Sequence, residues 1–129
     1  MRAPSPPIKN LLTITAVIEA GTGLGLVASP SLVVTLLLGS SLDAPVPLTI
    51  ARLAGSAILA LGVACWLGRW DRQTRAAKAL VGSMMLYNAV VATVLLYAGL
   101  GLGLSSIGLW PTVLLHVGMT GWCIRCLRS

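Results

Sequence analysis

Charge is what this sequence has least of. Nine Lys+Arg and three Asp+Glu make up 9% of 129 residues, against roughly 25% in a soluble domain. That shortage excludes a single water-facing fold. There is one histidine, so a haem held between two histidines is excluded. Three cysteines leave the usual four-ligand zinc site one ligand short. No run of basic residues is interleaved with aromatics, so the formal charge of +6 does not point to nucleic-acid binding. Neither a phosphate-binding loop nor a nucleophile–base arrangement is visible. An enzyme is not expected, and no cofactor or metal is expected.

What is abundant is apolar sequence. Hydrophobic residues make up 57% of the chain, and mean hydropathy is +0.93. They lie in runs of about 20 residues, long enough to cross a hydrocarbon layer roughly 30 Å thick. Four segments qualify, at about 10–28, 48–68, 79–100 and 107–127. The expected fold is all-α, an integral membrane four-helix bundle forming one domain over residues 1–129. Between the first two spans, Ser29-Pro30 precedes the run LVVTLLLG. Ser29 suits an N-cap, Pro30 the first helical position and Gly39 the C-terminal end. About nine apolar residues are too few to span, so a short interfacial or re-entrant helix is expected there. Residues 40–47, with Asp43, Pro45 and Pro47, read as a loop. Gly99, Gly101 and Gly103 weaken the end of the third span, and Pro111 starts or kinks the fourth. Arg2, Lys9 and Val27-Ala28-Ser29 give the first segment the outline of a signal peptide, but Glu19 in its apolar region argues for a retained span.

The basic residues orient the bundle. Eight of nine (Arg2, Lys9, Arg69, Arg72, Arg75, Lys78, Arg125 and Arg128) fall on one side. The positive-inside rule then places both termini and the connection RWDRQTRAAK in the cytoplasm, in a bacterial inner membrane. Anionic lipid headgroups are the partners expected for these side chains. Trp66, Trp70 and Trp122 fall near that interface and Trp110 near the opposite one, as an aromatic belt does.

Few polar residues remain inside the spans. Glu19 is the only acid within one, and Arg52, the ninth base, lies near the outer end of the second. Glu19 is ten residues from Lys9, Asn88 ten from Lys78 and His116 nine from Arg125. At roughly 1.5 Å per residue all three lie about 13–15 Å deep, near the midplane. Thr15, Glu19 and Thr22 share one helical face, as do Thr112, His116, Thr120 and Cys123. A midplane cluster of Glu19, Asn88 and His116 is expected, with Tyr87 beside it and Arg52 as its cap. Such groups can be hydrogen-bonding glue between helices, or a ligand-binding or proton-carrying site. Small residues at Gly21, Gly25, Ser56, Ala60 and Ala64 mark expected packing faces. Cys123 and Cys126 have the CxxC spacing of thiol enzymes, with Arg125 between them. Their position at a reducing face favours ordinary buried thiols over that chemistry.

Arg52-x-x-Gly55-x-x-x-Leu59-x-Leu61-Gly62, following a short interfacial helix, resembles the second span of small DoxX-like bacterial membrane proteins. That resemblance implies four helices and a function mostly unassigned in the group. Ala16-Val17-Ile18-Glu19-Ala20-Gly21-Thr22 is similar to the first helix of small multidrug resistance transporters. In that family a membrane-embedded Glu exchanges protons for cationic drugs, which would make Glu19 the proton carrier. The chain departs from the transporter pattern in its one-sided charge, its extra short helix and the lack of Trp-Ser-Gly in its third span. The expected function is binding of a lipophilic ligand, or service as an accessory subunit of a membrane complex or a homo-oligomer. A proton-coupled transporter is the alternative.

Overall fold

The computed structural model describes residues 8–71 and 74–129. Arg2 and Arg72, two of the orienting bases, lie outside the described residues. Those described form five helices and no strand: α1 (Ile8–Ala28), α2 (Pro30–Leu38), α3 (Pro45–Gly68), α4 (Arg75–Leu100) and α5 (Leu109–Arg128). Three of them, α1, α3 and α4, are long and apolar enough to cross a membrane. The 20-residue α5 is not among them, because Pro111, Thr112, His116, Thr120 and Arg125 lower its hydropathy.

The helix ends follow from local chemistry. Pro30 has no N–H with which to continue α1, so the chain turns at Ser29 and α2 starts on the proline. The Ser29 side chain makes no capping hydrogen bond, contrary to the sequence expectation. Gly39 ends α2 in the left-handed conformation (φ 76°), its N–H donating to Thr35 O. A Cβ there would also strike Ser105 O. The expected loop over residues 40–47 is shorter than foreseen. Pro45 and Pro47 sit in the first turn of α3, where the missing N–H groups have no helical partner to lose. Likewise α4 begins at Arg75, inside the stretch read as a connection. Thr74 caps it by accepting from Ala77 N at 3.2 Å while donating to Asp71 Oδ2 at 2.7 Å. Gly101 follows the last residue of α4 and Gly103 takes φ 67°, so the glycines end the helix where expected. Pro111 lies in the first turn of α5.

The long helices pack as two pairs, α1 with α3 and α4 with α5, and the pairs meet each other more sparsely. Between α1 and α3 the backbones nearly touch. A Cβ on Gly23 would lie 2.6 Å from Leu59 N, and one on Gly62 would lie 2.7 Å from Ala20 N. The small-residue face between α1 and α3 is therefore Gly23, Gly55 and Gly62, while the expected Gly25 faces α2, where an added Cβ would lie 3.1 Å from Val33 Cγ2. Gly21 has nothing near it, and Ser56, Ala60 and Ala64 are exposed.

The pairs join tightly at one end. Leu11 and Leu12 of α1, Cys65 of α3, Val81 and Met84 of α4 and Cys123 of α5 form a common core there. The same end carries Lys9, Arg69, Arg75, Lys78, Arg125 and Arg128, with Trp66, Trp70 and Trp122. Lys9 Nζ lies 3.9 Å above the Trp70 ring, and the Arg69 guanidinium 3.4 Å from the centre of Trp66. At the other end α2 folds against α1 and is tied to the α4–α5 connection. Gly108 N donates to Leu36 O at 3.0 Å, and Ser106 Oγ donates to the same carbonyl. The outer surface is apolar: Leu53, Leu86, Val94 and Leu114 are each more than half exposed. In water that would be an association-prone surface, whereas in lipid it is the face a spanning helix presents.

Candidate functional site

Each long helix carries an inward stripe of apolar residues at three- and four-residue intervals. Three of these stripes are interrupted by polar residues at similar depth. Glu19 lies in the α1 stripe with Leu12, Ala16 and Gly23. Asn88 lies between Met84 and Ala92 in α4, and His116 between Val113 and Met119 in α5. Their exposures are 3%, 1% and 7% respectively, so the periodicity that builds the core also draws these groups into it.

They form a connected set with Tyr87. The Tyr87 hydroxyl donates to Glu19 Oε2 at 2.9 Å. Asn88 Nδ2 donates to Met84 O at 2.7 Å, which turns Oδ1 toward α5, where it lies 2.7 Å from His116 Nδ1. An amide oxygen can only accept, so His116 carries a proton on Nδ1 and donates. The Tyr87 and His116 rings then meet edge to face, 5.9 Å between centroids at 77°. Glu19 thus joins the cluster through Tyr87, while Asn88 and His116 link α4 to α5.

Arg52 is not the cap of this cluster. It is exposed, and its Nε donates to Val27 O at 3.2 Å. Val27 is about 12 Å along α1 from Glu19, because Gly55 brings α3 against the last turns of α1 and leaves Arg52 there. The other sequence candidates separate. Thr15, 1% exposed, has a buried hydroxyl without a partner. Thr22 stands one turn beyond Glu19 in the wall of a cavity, and Thr112 lines it too, donating to Gly108 O at 2.7 Å.

That cavity, about 400 Å³, is the feature the sequence did not disclose. It lies between the two helix pairs. Glu19, Tyr87 and His116 form its polar wall, Ile18, Leu26, Val91 and Leu95 its sides, and Val33, Val34 and Leu37 of α2 close its far end. Its walls are overwhelmingly apolar. The cavity depends on α2 folding back over the gap, a long-range event. The nearest sequence signal was the pair of breaks at Pro30 and Gly39.

Cys65, Cys123 and Cys126 are buried in the core at the basic end and do not line the cavity. Among the described residues no group of three His, Cys, Asp or Glu is placed to hold a metal ion. Compared with known proteins, the chain matches no family model, no curated protein and no solved structure.

Proposed function

We propose that this is a four-span membrane protein that binds a lipophilic small molecule in the cavity between its helix pairs. The observation that carries the reading is the cavity itself. Its volume of about 400 Å³ falls within the range of small-molecule sites, roughly 300–1,000 Å³, which are mostly apolar with a few convergent polar groups. A polar wall of Glu19, Tyr87 and His116 facing apolar sides is that combination. An ionisable group at membrane depth is disfavoured by a few kcal/mol or more unless its surroundings compensate.

For α5 as the fourth span, support comes from its outward face. Leu114 is 71% and Val117 52% exposed, while its polar residues His116 and Thr112 turn toward the cavity. For cytoplasmic termini in a bacterial inner membrane, support comes from Lys9, Arg69, Arg75, Lys78, Arg125 and Arg128 gathered at one end. The resemblance to DoxX-like chains belongs to the same proposal. Gly55, Leu59 and Gly62 of its motif lie against α1, so the motif accounts for the packing of the fold more than for its ligand.

The test uses the intact protein in lipid nanodiscs, extracted for mass spectrometry of retained small molecules. Leu115 lines the cavity and is 38% exposed, so Leu115→Trp should fill the space without disturbing the core. The wild type should retain a lipophilic species in near 1:1 ratio and the filled variant should not. Equal retention by both would remove the binding reading and leave the accessory-subunit role. Proton-coupled transport is favoured by one observation: Glu19 reaches the cavity wall with its base, Arg52, engaged elsewhere. It requires that Glu19→Gln abolish pH-driven flux in proteoliposomes while binding persists.

A further inference from the structure

Three hydrogens of the polar wall are spoken for. The Tyr87 O–H goes to Glu19 Oε2, the His116 Nδ1–H to Asn88 Oδ1, and the Thr112 O–H to Gly108 O. With Glu19 ionised and the His116 ring neutral, two acceptor atoms remain toward the cavity, Glu19 Oε1 and His116 Nε2, beside the Thr22 hydroxyl. His116 Nε2 accepts in the neutral form, where the ring's single proton is the one on Nδ1 that meets Asn88 Oδ1. Neither atom has a protein partner. Among the described residues the only fully buried side-chain polar atom without one is Thr15 Oγ1. Glu19 Oε1 and His116 Nε2 therefore meet open space, and the space beside both residues is the cavity.

Resting on the ligand-binding reading above, we infer that the cavity selects a lipophilic molecule with a hydrogen-bond-donor head, a hydroxyl or an amine. The head sits between Glu19 Oε1 and His116 Nε2, with the Thr22 hydroxyl one turn further up. The apolar body runs between α1 and α4 toward Val33 and Leu37 of α2. The same inventory discriminates against the molecules most abundant in a bilayer. Between Glu19 Oε1 and His116 Nε2, a phosphate, an ester carbonyl or a fatty carboxylate would set lone pairs, or a negative charge, against lone pairs. Size narrows the class further. A cavity of roughly 150 Å³ holds a benzene ring, so about 400 Å³ takes on the order of 15 carbon-sized atoms. That is enough for a medium-chain alcohol or amine, or for a small polycyclic alcohol.

The experiment titrates four matched probes, dodecanol, dodecylamine, methyl dodecyl ether and dodecane. Each is added to the intact protein in detergent micelles, with bound probe counted by native mass spectrometry. Leu115→Trp serves as the blank for non-specific uptake. Dodecanol and dodecylamine should bind above the blank, and the ether and alkane roughly 10- to 100-fold more weakly, as expected when a buried acceptor is left unpaired. Glu19→Leu should remove most of the alcohol-over-ether preference. Glu19→Gln, which keeps the acceptor oxygen but not the charge, should weaken the amine more than the alcohol. If the ether binds the wild type as tightly as the alcohol, the head-group assignment fails while ligand binding stands. If no probe exceeds the blank, ligand binding itself fails and takes the assignment with it. The wild-type probe series decides this even if the Glu19 variants do not assemble.

Discussion

Substituting Gly23 by alanine tests how the α1–α3 pair is held. The added Cβ would lie 2.6 Å from Leu59 N and 2.7 Å from Gly55 O, about 0.9 Å inside the roughly 3.5 Å of a normal carbon contact. Both neighbours are backbone atoms of a helix, so no rotamer change relieves the clash and the helices must part by close to 1 Å. A gap of that size forfeits a quarter to a half of each contact's attraction, itself about 0.1–0.2 kcal/mol. Over some tens of atom pairs the loss is on the order of 1–2 kcal/mol, within the range of about 1–3 kcal/mol for overpacked cores. Alanine is also the better helix former by about 1 kcal/mol, so the comparison is with Gly21→Ala. That site has nothing within 4 Å and gains the propensity without the clash. Reversible unfolding in mixed micelles with rising sodium dodecyl sulfate, followed by tryptophan fluorescence, should place Gly23→Ala about 2 kcal/mol below Gly21→Ala. Equal stability of the two variants, within about 0.5 kcal/mol, would refute a pair held by backbone contact at Gly23.

Three further outcomes follow from burial and hydrogen bonding. Thr15→Val keeps the side-chain shape and removes a buried hydroxyl without a partner, so stability in the same assay should rise by about 1 kcal/mol; a fall would show that the hydroxyl is bonded. Cys65 and Cys123 are fully buried and should resist a bulky maleimide until the protein is unfolded, so rapid labelling of the native protein would contradict the core at the basic end. Ser106→Ala removes one of the donors on Leu36 O and should raise amide exchange across α2 by roughly fivefold, the equivalent of about 1 kcal/mol. Unchanged exchange would mean that Gly108 N and the packing of Leu37 and Leu38 hold the short helix in place without Ser106.

The sequence revealed helices wherever a single residue type decides the local outcome. Pro30 and Gly39 bracket α2 because one lacks an N–H and the other tolerates φ 76°. The inward placement of Glu19, Asn88 and His116 was equally legible, because helical period and the scarcity of polar residues leave little alternative. Packing between helices was less so. In a chain with 14 glycines, spacing alone cannot tell Gly21 from Gly23, and only the crossing of α1 with α3 chooses between them. Arg52 was misplaced for the same reason, since its partner is decided by where α3 crosses α1. The hydropathy of α5 shows the converse. The residues that make it a candidate wall of the site, Thr112 and His116, also make it the least apolar long helix.

The two helix pairs are joined in three unlike ways, and the differences bear on how a ligand could enter. At the basic end the join is a buried apolar core, with Leu11, Leu12, Val81 and Cys123 among its members. Opening it would expose all of that surface at once. At the far end the join combines hydrogen bonds from Ser106 and Gly108 to Leu36 O, each worth about 1 kcal/mol net in water, with a smaller apolar cluster in which Leu37 and Leu38 of α2 pack against Leu95, Leu109 and Val113. Between them lies the contact of Tyr87 with Glu19, at the cavity wall. The cluster at the α2 end has fewer buried members than the core at the basic end, so parting the pairs at the α2 end would expose less buried surface, and a ligand of the proposed kind would enter on the side that α2 covers. In the proposed site, a donor group entering from there would meet Glu19 with Tyr87 already on one of its oxygens. Binding then needs no exchange of partners, because the second oxygen is the one turned toward the space the ligand fills.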